Sequence, residues 1–276
     1  MSDSARQPLP EPPLPGSMGL RDGGEPGRFL MPAERRWCSW NGLFGGALLG
    51  AAVEAMEKVA GKPLLSVSAL YLQGLKENDV LEVRAQLRGG GKAVSLATAA
   101  GVHNGETAVL AQGTLGAFPE GVRPATAFAP RRPPEESRRR ESLNYTPGGV
   151  TDTLEVRFAD EDAARGANRA QLWVRCVGVG GAMSAAILTA VADHPPSAVA
   201  PIFGQGYYGI TLDSSMRIAA RLDRYSAGEW VLLDVQFDAL TEQLGHATVQ
   251  MWSSGGDYLG VAAQTMRIRK AEAAKS

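Results

Sequence analysis

The chain has 276 residues, 44% of them apolar, and a formal charge of −1. This is ordinary globular composition, long enough for two domains of modest size. There is no broad basic excess to suggest nucleic acid, and no apolar run reaches the roughly 20 residues that span a bilayer, so no membrane insertion is expected. The N-terminus lacks the basic start and apolar core of a signal peptide, so cytoplasm is the expected location. Cys38 and Cys176 lie in apolar, strand-like stretches and are expected to be reduced core residues. His103, His194 and His246 are scattered without ligand spacing, so no metal site is expected.

Residues 1–27 are rich in Pro, Gly and charge and read as a flexible tail. The first folded unit is expected over 28–118. Within it, Arg35–Trp40 reads as a short strand. Gly46–Val59 reads as a nearly all-buried helix with charges only late, ended by Gly61-Lys62-Pro63. Leu64–Gln73, Val80–Leu87, Ala93–His103 and Thr107–Leu115 follow as strands, the last two joined by an Asn104-Gly105 hairpin turn. Residues 119–150 change to Pro and Arg and read as a linker. Its Arg131, Arg132, Arg138, Arg139 and Arg140 either stay solvated or touch an anionic group such as a nucleotide phosphate.

The second unit is expected over 151–270. Leu154–Phe158 and Gln171–Val177 read as strands, Gly181–Ala192 as a second buried helix stopped by Pro195-Pro196. Gly206–Ala219, Trp230–Phe237, Gly245–Trp252 and Tyr258–Ile268 read as strands. The two units echo each other. Phe44-Gly45-Gly46-Ala47 is repeated as Val179-Gly180-Gly181-Ala182, and Val109-Leu110-Ala111-Gln112 as Val261-Ala262-Ala263-Gln264. One unit written twice is the simplest reading. A buried helix wrapped by an antiparallel sheet is the hotdog plan. The predicted fold class is therefore α+β, a double hotdog of two tandem units.

Here the chain resembles the acyl-CoA thioesterase II family. The resemblance rests on Asn41-Gly42-Leu43-Phe44-Gly45-Gly46 before the first helix, Thr211-Leu212-Asp213-Ser214-Ser215-Met216, Glu229-Trp230-Val231-Leu232-Leu233, and the hairpin Gly256-Asp257-Tyr258 through Gln264. It implies hydrolysis of acyl-CoA without a covalent intermediate. An aspartate, a hydroxyl residue and a glutamine would hold the attacking water. It implies an acyl-CoA partner, CoA arriving as part of the substrate, no separate cofactor, and a homodimer or higher oligomer.

On that resemblance Asp213 takes the aspartate position, as a general base, and Gln264 the glutamine position, orienting water through donor and acceptor. Asp238 stands where the hydroxyl residue is expected. It either forms an acid pair with Asp213 or marks an altered network, and Thr241 reaches the position only if a bulge shifts the register. Gly45 and Gly46, and likewise Gly180 and Gly181 before the second helix, leave helix N–H groups open for an oxyanion, or serve close packing, or both. Asn41 caps the loop or contacts the carbonyl. Tyr207 and Tyr208 are expected to line the acyl tunnel. The first copy has no acid matching Asp213, so a single working site is expected in the second copy, lined also by the first. The alternative is a non-catalytic acyl-CoA binding or scaffold protein. A hotdog dehydratase would need a His–acid pair in motifs that these histidines do not occupy.

Overall fold

The computed structural model describes residues 16–118, 127–130, 132–141, 145–159, 168–200, 204, 206–241 and 243–270. In chain order the first unit comprises β1 (Arg21–Asp22), β2 (Arg28–Pro32), β3 (Cys38–Ser39), β4 (Gly42–Leu43), helix α1 (Gly45–Ala60), β5 (Leu64–Tyr71), β6 (Val80–Gly90), β7 (Val94–His103) and β8 (Glu106–Gly116). The edge strand β9 (Arg138–Arg139) and the short helix α2 (Val150–Thr153) follow. The second unit adds β10 (Leu154–Phe158), β11 (Arg169–Cys176), helix α3 (Ala185–Ala192), β12 (Tyr207–Ile218), β13 (Val231–Leu240), β14 (Leu244–Ser253) and β15 (Tyr258–Lys270).

All strands but β3 and β4 join one 13-stranded antiparallel sheet, in the order β1-β2-β6-β7-β8-β5-β12-β15-β14-β13-β11-β10-β9. Outward from the centre, β5-β8-β7-β6 in one direction is matched by β12-β15-β14-β13 in the other. The repeat in the sequence is thus a repeat in topology, and β5 against β12 is the seam. Each unit wraps its sheet around its own helix, which is the predicted double hotdog.

The two helices pack against each other in antiparallel fashion. A Cβ on Gly46 would stand 2.8 Å from Ala190 Cα, and one on Gly50 would stand 2.9 Å from the Ala186 carbonyl oxygen. Only glycine permits backbones this close. Every residue of α3 is buried, and α1 buries ten, so one core runs through both units.

Several boundaries differ from expectation. Residues 1–15 of the proposed tail lie outside the described residues, but from Gly16 the chain is built into the fold. Met18 and Leu20 are buried, Ser17 Oγ and the Met18 N–H donate to Glu54, and β1 pairs with β2. The apolar Met18 and Leu20, set among glycines, are what hold it. Arg35–Trp37 is a 3₁₀ turn, not strand. Helix α3 begins at Ala185, four residues later than expected, because Gly181 takes a left-handed φ of 84° and Ser184 caps the helix through Ile187 N–H. In the linker stretch, Phe128 packs on Trp173 and Trp252, and Trp173 Nε1 donates to the Arg132 carbonyl, so this part covers the outer face of the second sheet. Cys38 and Cys176 are buried free thiols. Among the described residues no helix is long and apolar enough to cross a membrane.

Candidate active site

Helix α3 is apolar to its last residue and ends at Ala192. The next side chain, Asp193, is a carboxylate only 5% exposed. A negative charge at a helix C-terminus opposes the helix dipole. Here the antiparallel packing offsets that cost, because it sets Asp193 against the N-terminus of α1. Gly46 N–H donates to the carboxylate, and a Cβ on Gly45 would stand 2.9 Å from Asp193 Oδ2. Phe44, the N-cap of α1, offers no side-chain cap. The helix start is therefore left to the carboxylate and to whatever enters from outside.

Two strands of the second unit complete the cluster. Gln264 on β15 is 4% exposed, and its Nε2 donates to Asp193 Oδ1 at 2.6 Å. Thr211 on β12 places its Oγ1 3.4 Å from the same oxygen, the long end of hydrogen-bond range. Burial pushes the Asp193 carboxyl up to about 7, against the hydrogen bonds from Gln264, Thr211 and Gly46 that favour its charged form. Gln264 Oε1 is buried without a partner, and β5 of the first unit brings in the buried hydroxyl of Tyr71. Tyr71 faces Asp193 and the buried Ser214, and burial holds its hydroxyl well above the ordinary range.

Of these groups, Asp193, Thr211 and Tyr71 open into a cavity of about 950 Å³. Phe44, Gly45, Leu48 and Tyr71 line it from the first unit, and Asp193, Thr211, Leu154 and Val156 from the second. His194 also lines it. Its Nδ1 lies 3.0 Å from the Val191 carbonyl, and burial pushes its pKa down to about 3, so the ring is neutral. Among the described residues no group of three or more His, Cys, Asp and Glu could hold a metal ion.

The expected site residues divide. Gln264, Gly45 and Gly46 are in the cluster. Asn41 and Tyr208 line the same cavity, and Tyr208 stacks edge-on against Trp40. Tyr207 instead lies under the Lys270 ammonium. Asp213 is not in the cluster. A β-bulge between Thr211 and Asp213 shifts the register, so that Ser214, not Asp213, stands opposite Gln264. Thr211 and Ser214 point inward, while Asp213 lines a groove on the outer face with Leu70 and Gln112. Asp238 is also on the outer side, where it accepts from Thr248 Oγ1 at 2.6 Å. Thr241 closes the β13–β14 turn, receiving the Leu244 N–H on its hydroxyl. Gln112, the sequence echo of Gln264, is exposed on the opposite face.

The missed residue is Asp193. Its signal was present: a lone acid ending a charge-free apolar helix, where the dipole disfavours it. The aspartate, hydroxyl and glutamine that the resemblance calls for are thus brought together as Asp193, Thr211 and Gln264.

At the other end of the helix pair the arrangement differs. The α3 N-terminus is capped by Ser184, and the acid nearby, Glu57, accepts the Leu64 N–H at 2.8 Å. A smaller cavity of about 530 Å³ lies there, lined by Glu57, Leu64 and Ser184.

Residues 33–116 match the acyl-CoA thioesterase N-terminal domain and residues 119–268 the C-terminal domain. The chain belongs to the acyl-CoA thioesterase family. Solved structures agree on the fold. A thioesterase candidate from Novosphingobium aromaticivorans DSM 12444 superposes with a TM-score of 0.78 at 23% identity, over 90% of this chain and 97% of that one. A protein with hot dog fold from Alicyclobacillus acidocaldarius gives 0.77 at 17% identity, over 92% and 97%. Acyl-CoA thioesterase II TesB2 of Mycobacterium marinum gives 0.70 at 14% identity, over 94% and 98%. No curated protein matches the chain. In this acyl-CoA thioesterase family member, then, the two matched domains are the two hotdog units, and the buried cluster draws on both.

Proposed function

We propose that the chain hydrolyses acyl-CoA thioesters to free acid and CoA, with Asp193 as the general base. The observation that carries this reading is the state of Gln264. Its Nε2 is tied to the carboxylate while its Oε1, buried and unpartnered, is left to accept from a water. A water between Gln264 Oε1, Thr211 Oγ1 and Asp193 gives its proton to the carboxylate as it attacks the thioester carbonyl. The oxyanion that forms is stabilised by the start of α1, where the Gly45 N–H is open and the helix dipole is already in place, the Gly46 N–H being engaged by Asp193. The tetrahedral species then expels the CoA thiolate. Gly45 and Gly46 serve chemistry and close packing together. CoA leaves as product, and no other cofactor is required by this scheme.

The alternative of a non-catalytic binder drew its support from Asp238 standing at the hydroxyl position. Thr211 offers a hydroxyl at the cluster, which favours the enzyme. The test is thiol release from acyl-CoAs of graded chain length. Asp193→Asn is expected to lower the rate by about 10²–10⁴-fold, with Asp213→Asn close to wild type. Full activity in Asp193→Asn, or its loss in Asp213→Asn alone, would overturn the assignment.

A further inference from the structure

The cavity that holds Asp193 is also lined by Arg140, a charged group that the hydrolytic scheme does not use. Arg140 follows the edge strand β9, and its backbone N–H is fixed on the Val156 carbonyl at 2.8 Å. Its Nη1 donates to Ser197 Oγ at 2.9 Å, and Ser197 belongs to the 3₁₀ turn Pro195–Ala198 that directly follows Asp193-His194. The guanidinium is thus held against the same turn that presents the candidate base.

No carboxylate among the described residues pairs with it. Asp152, on the same cavity wall, is engaged by Tyr145 and by Gly148 N–H, and Glu155 by Arg157 and Arg175. Burial lowers the Arg140 pKa with no acid acting in return. A largely desolvated guanidinium without a counter-ion is costly. Arginine is also the side chain whose planar fork fits carboxylate and phosphate oxygens. A purely structural role for Arg140 would have been met by a neutral donor to Ser197.

We infer that Arg140 is an anion subsite of the active-site cavity, receiving a carboxylate or phosphate carried by the substrate. This rests on the thioesterase reading for the identity of the substrate, though not for the presence of the anion site. The anion has two sources: a carboxylate at the far end of the acyl group, or the phosphates of CoA.

The experiment compares wild type, Arg140→Gln and Arg140→Lys on three substrate sets. These are butyryl- and hexanoyl-CoA, succinyl- and glutaryl-CoA, and the matching N-acetylcysteamine thioesters, which carry no phosphate. Loss of a charged hydrogen bond predicts a 10- to 100-fold rise in KM for Arg140→Gln with kcat changed less than about 3-fold. A rise confined to the carboxyacyl substrates in both thiol series assigns the acyl carboxylate. A rise for every CoA ester with none for alkyl N-acetylcysteamine thioesters assigns CoA phosphate. Arg140→Lys, which keeps the charge and loses the fork, is expected to fall between and guards against misfolding of the Gln variant. Unchanged KM for all substrates in Arg140→Gln overturns the inference. Thermal shifts by succinate and inorganic pyrophosphate keep the test independent of turnover. A shift in wild type that Arg140→Gln abolishes supports the subsite even if no thioester is hydrolysed, and no shift together with no hydrolysis rejects it.

Discussion

In the proposed scheme Asp193 ties stability to activity. Its carboxyl is pushed up to about 7 by burial, well above an exposed aspartate. Between pH 4 and 7 the folded chain therefore keeps a proton that the unfolded chain has released, so this residue's contribution to stability falls as pH rises through that window. Above pH 7 the cost is complete, on the order of 4 kcal/mol. Asp193→Asn is accordingly expected to raise Tm by several degrees at pH 8 and by less at pH 5, while slowing hydrolysis by about 10²–10⁴-fold. Calorimetry at the two pH values checks the first part. If Asp193 is the base, as proposed, the same ionisation is expected to make kcat/KM rise with pH through about 7 in the wild type, a limb that Gln264→Glu would displace by adding a second acid. Gln264 was singled out in the sequence by the family resemblance, through the hairpin from Gly256 to Gln264; its break in the apolar Val261-Ala262-Ala263 stretch alone would have read as an ordinary strand glutamine. Asp193 was not, because an acid before Pro195-Pro196 reads as the end of a helix, and nothing local says that the end is buried against another helix.

At the level of elements, two features set the site. The first is the bulge in β12. Residue alternation along Ile210–Met216 puts Thr211 and Asp213 on one face, and the bulge puts them on opposite faces. Strand positions were readable from periodicity, and β10 spans the predicted residues. The single added residue was not, since one extra amino acid leaves no trace in an apolar pattern. Deleting Leu212, the added residue, makes Thr211 and Asp213 neighbours, so plain alternation still leaves Thr211 inward and Asp213 outward, and thiol release is expected to survive. Thiol release retained with an unchanged circular dichroism spectrum would be the mark. The second feature is the helix pair. At Gly50 a Cβ meets the Ala186 carbonyl oxygen and the Met18 sulfur at 2.9 Å each. The carbonyl is backbone and yields little. Gly50→Val is expected to cost about 1–3 kcal/mol in urea unfolding and to lower kcat, because it moves the α1 start away from Asp193.

Over the whole molecule, the double hotdog was legible because a twice-written motif order demands a twice-built unit. The two outer faces were not. The second unit's outer face is covered by the linker, with Phe128 wedged between Trp173 and Trp252. The first unit's outer face leaves Leu70, Leu72, Leu96 and Leu110 exposed. No local pattern distinguishes a proline-rich segment that drapes a sheet from one that hangs in water. Phe128→Ala is expected to destabilise by about 2–3 kcal/mol, with KM and kcat nearly unchanged since Phe128 is remote from the cavity. Equilibrium unfolding and steady-state kinetics on the same preparation check both halves of that statement.

The unequal ends of the helix pair have a consequence for descent. A dimer of identical hotdog units would present the same pocket twice, and any change would strike both copies at once. Fusion into one chain breaks that bond. The end with Asp193 and the open α1 start can be refined for its reaction. The end with Ser184 and Glu57, where each polar group already answers a backbone N–H, is free to be recruited for holding the fold.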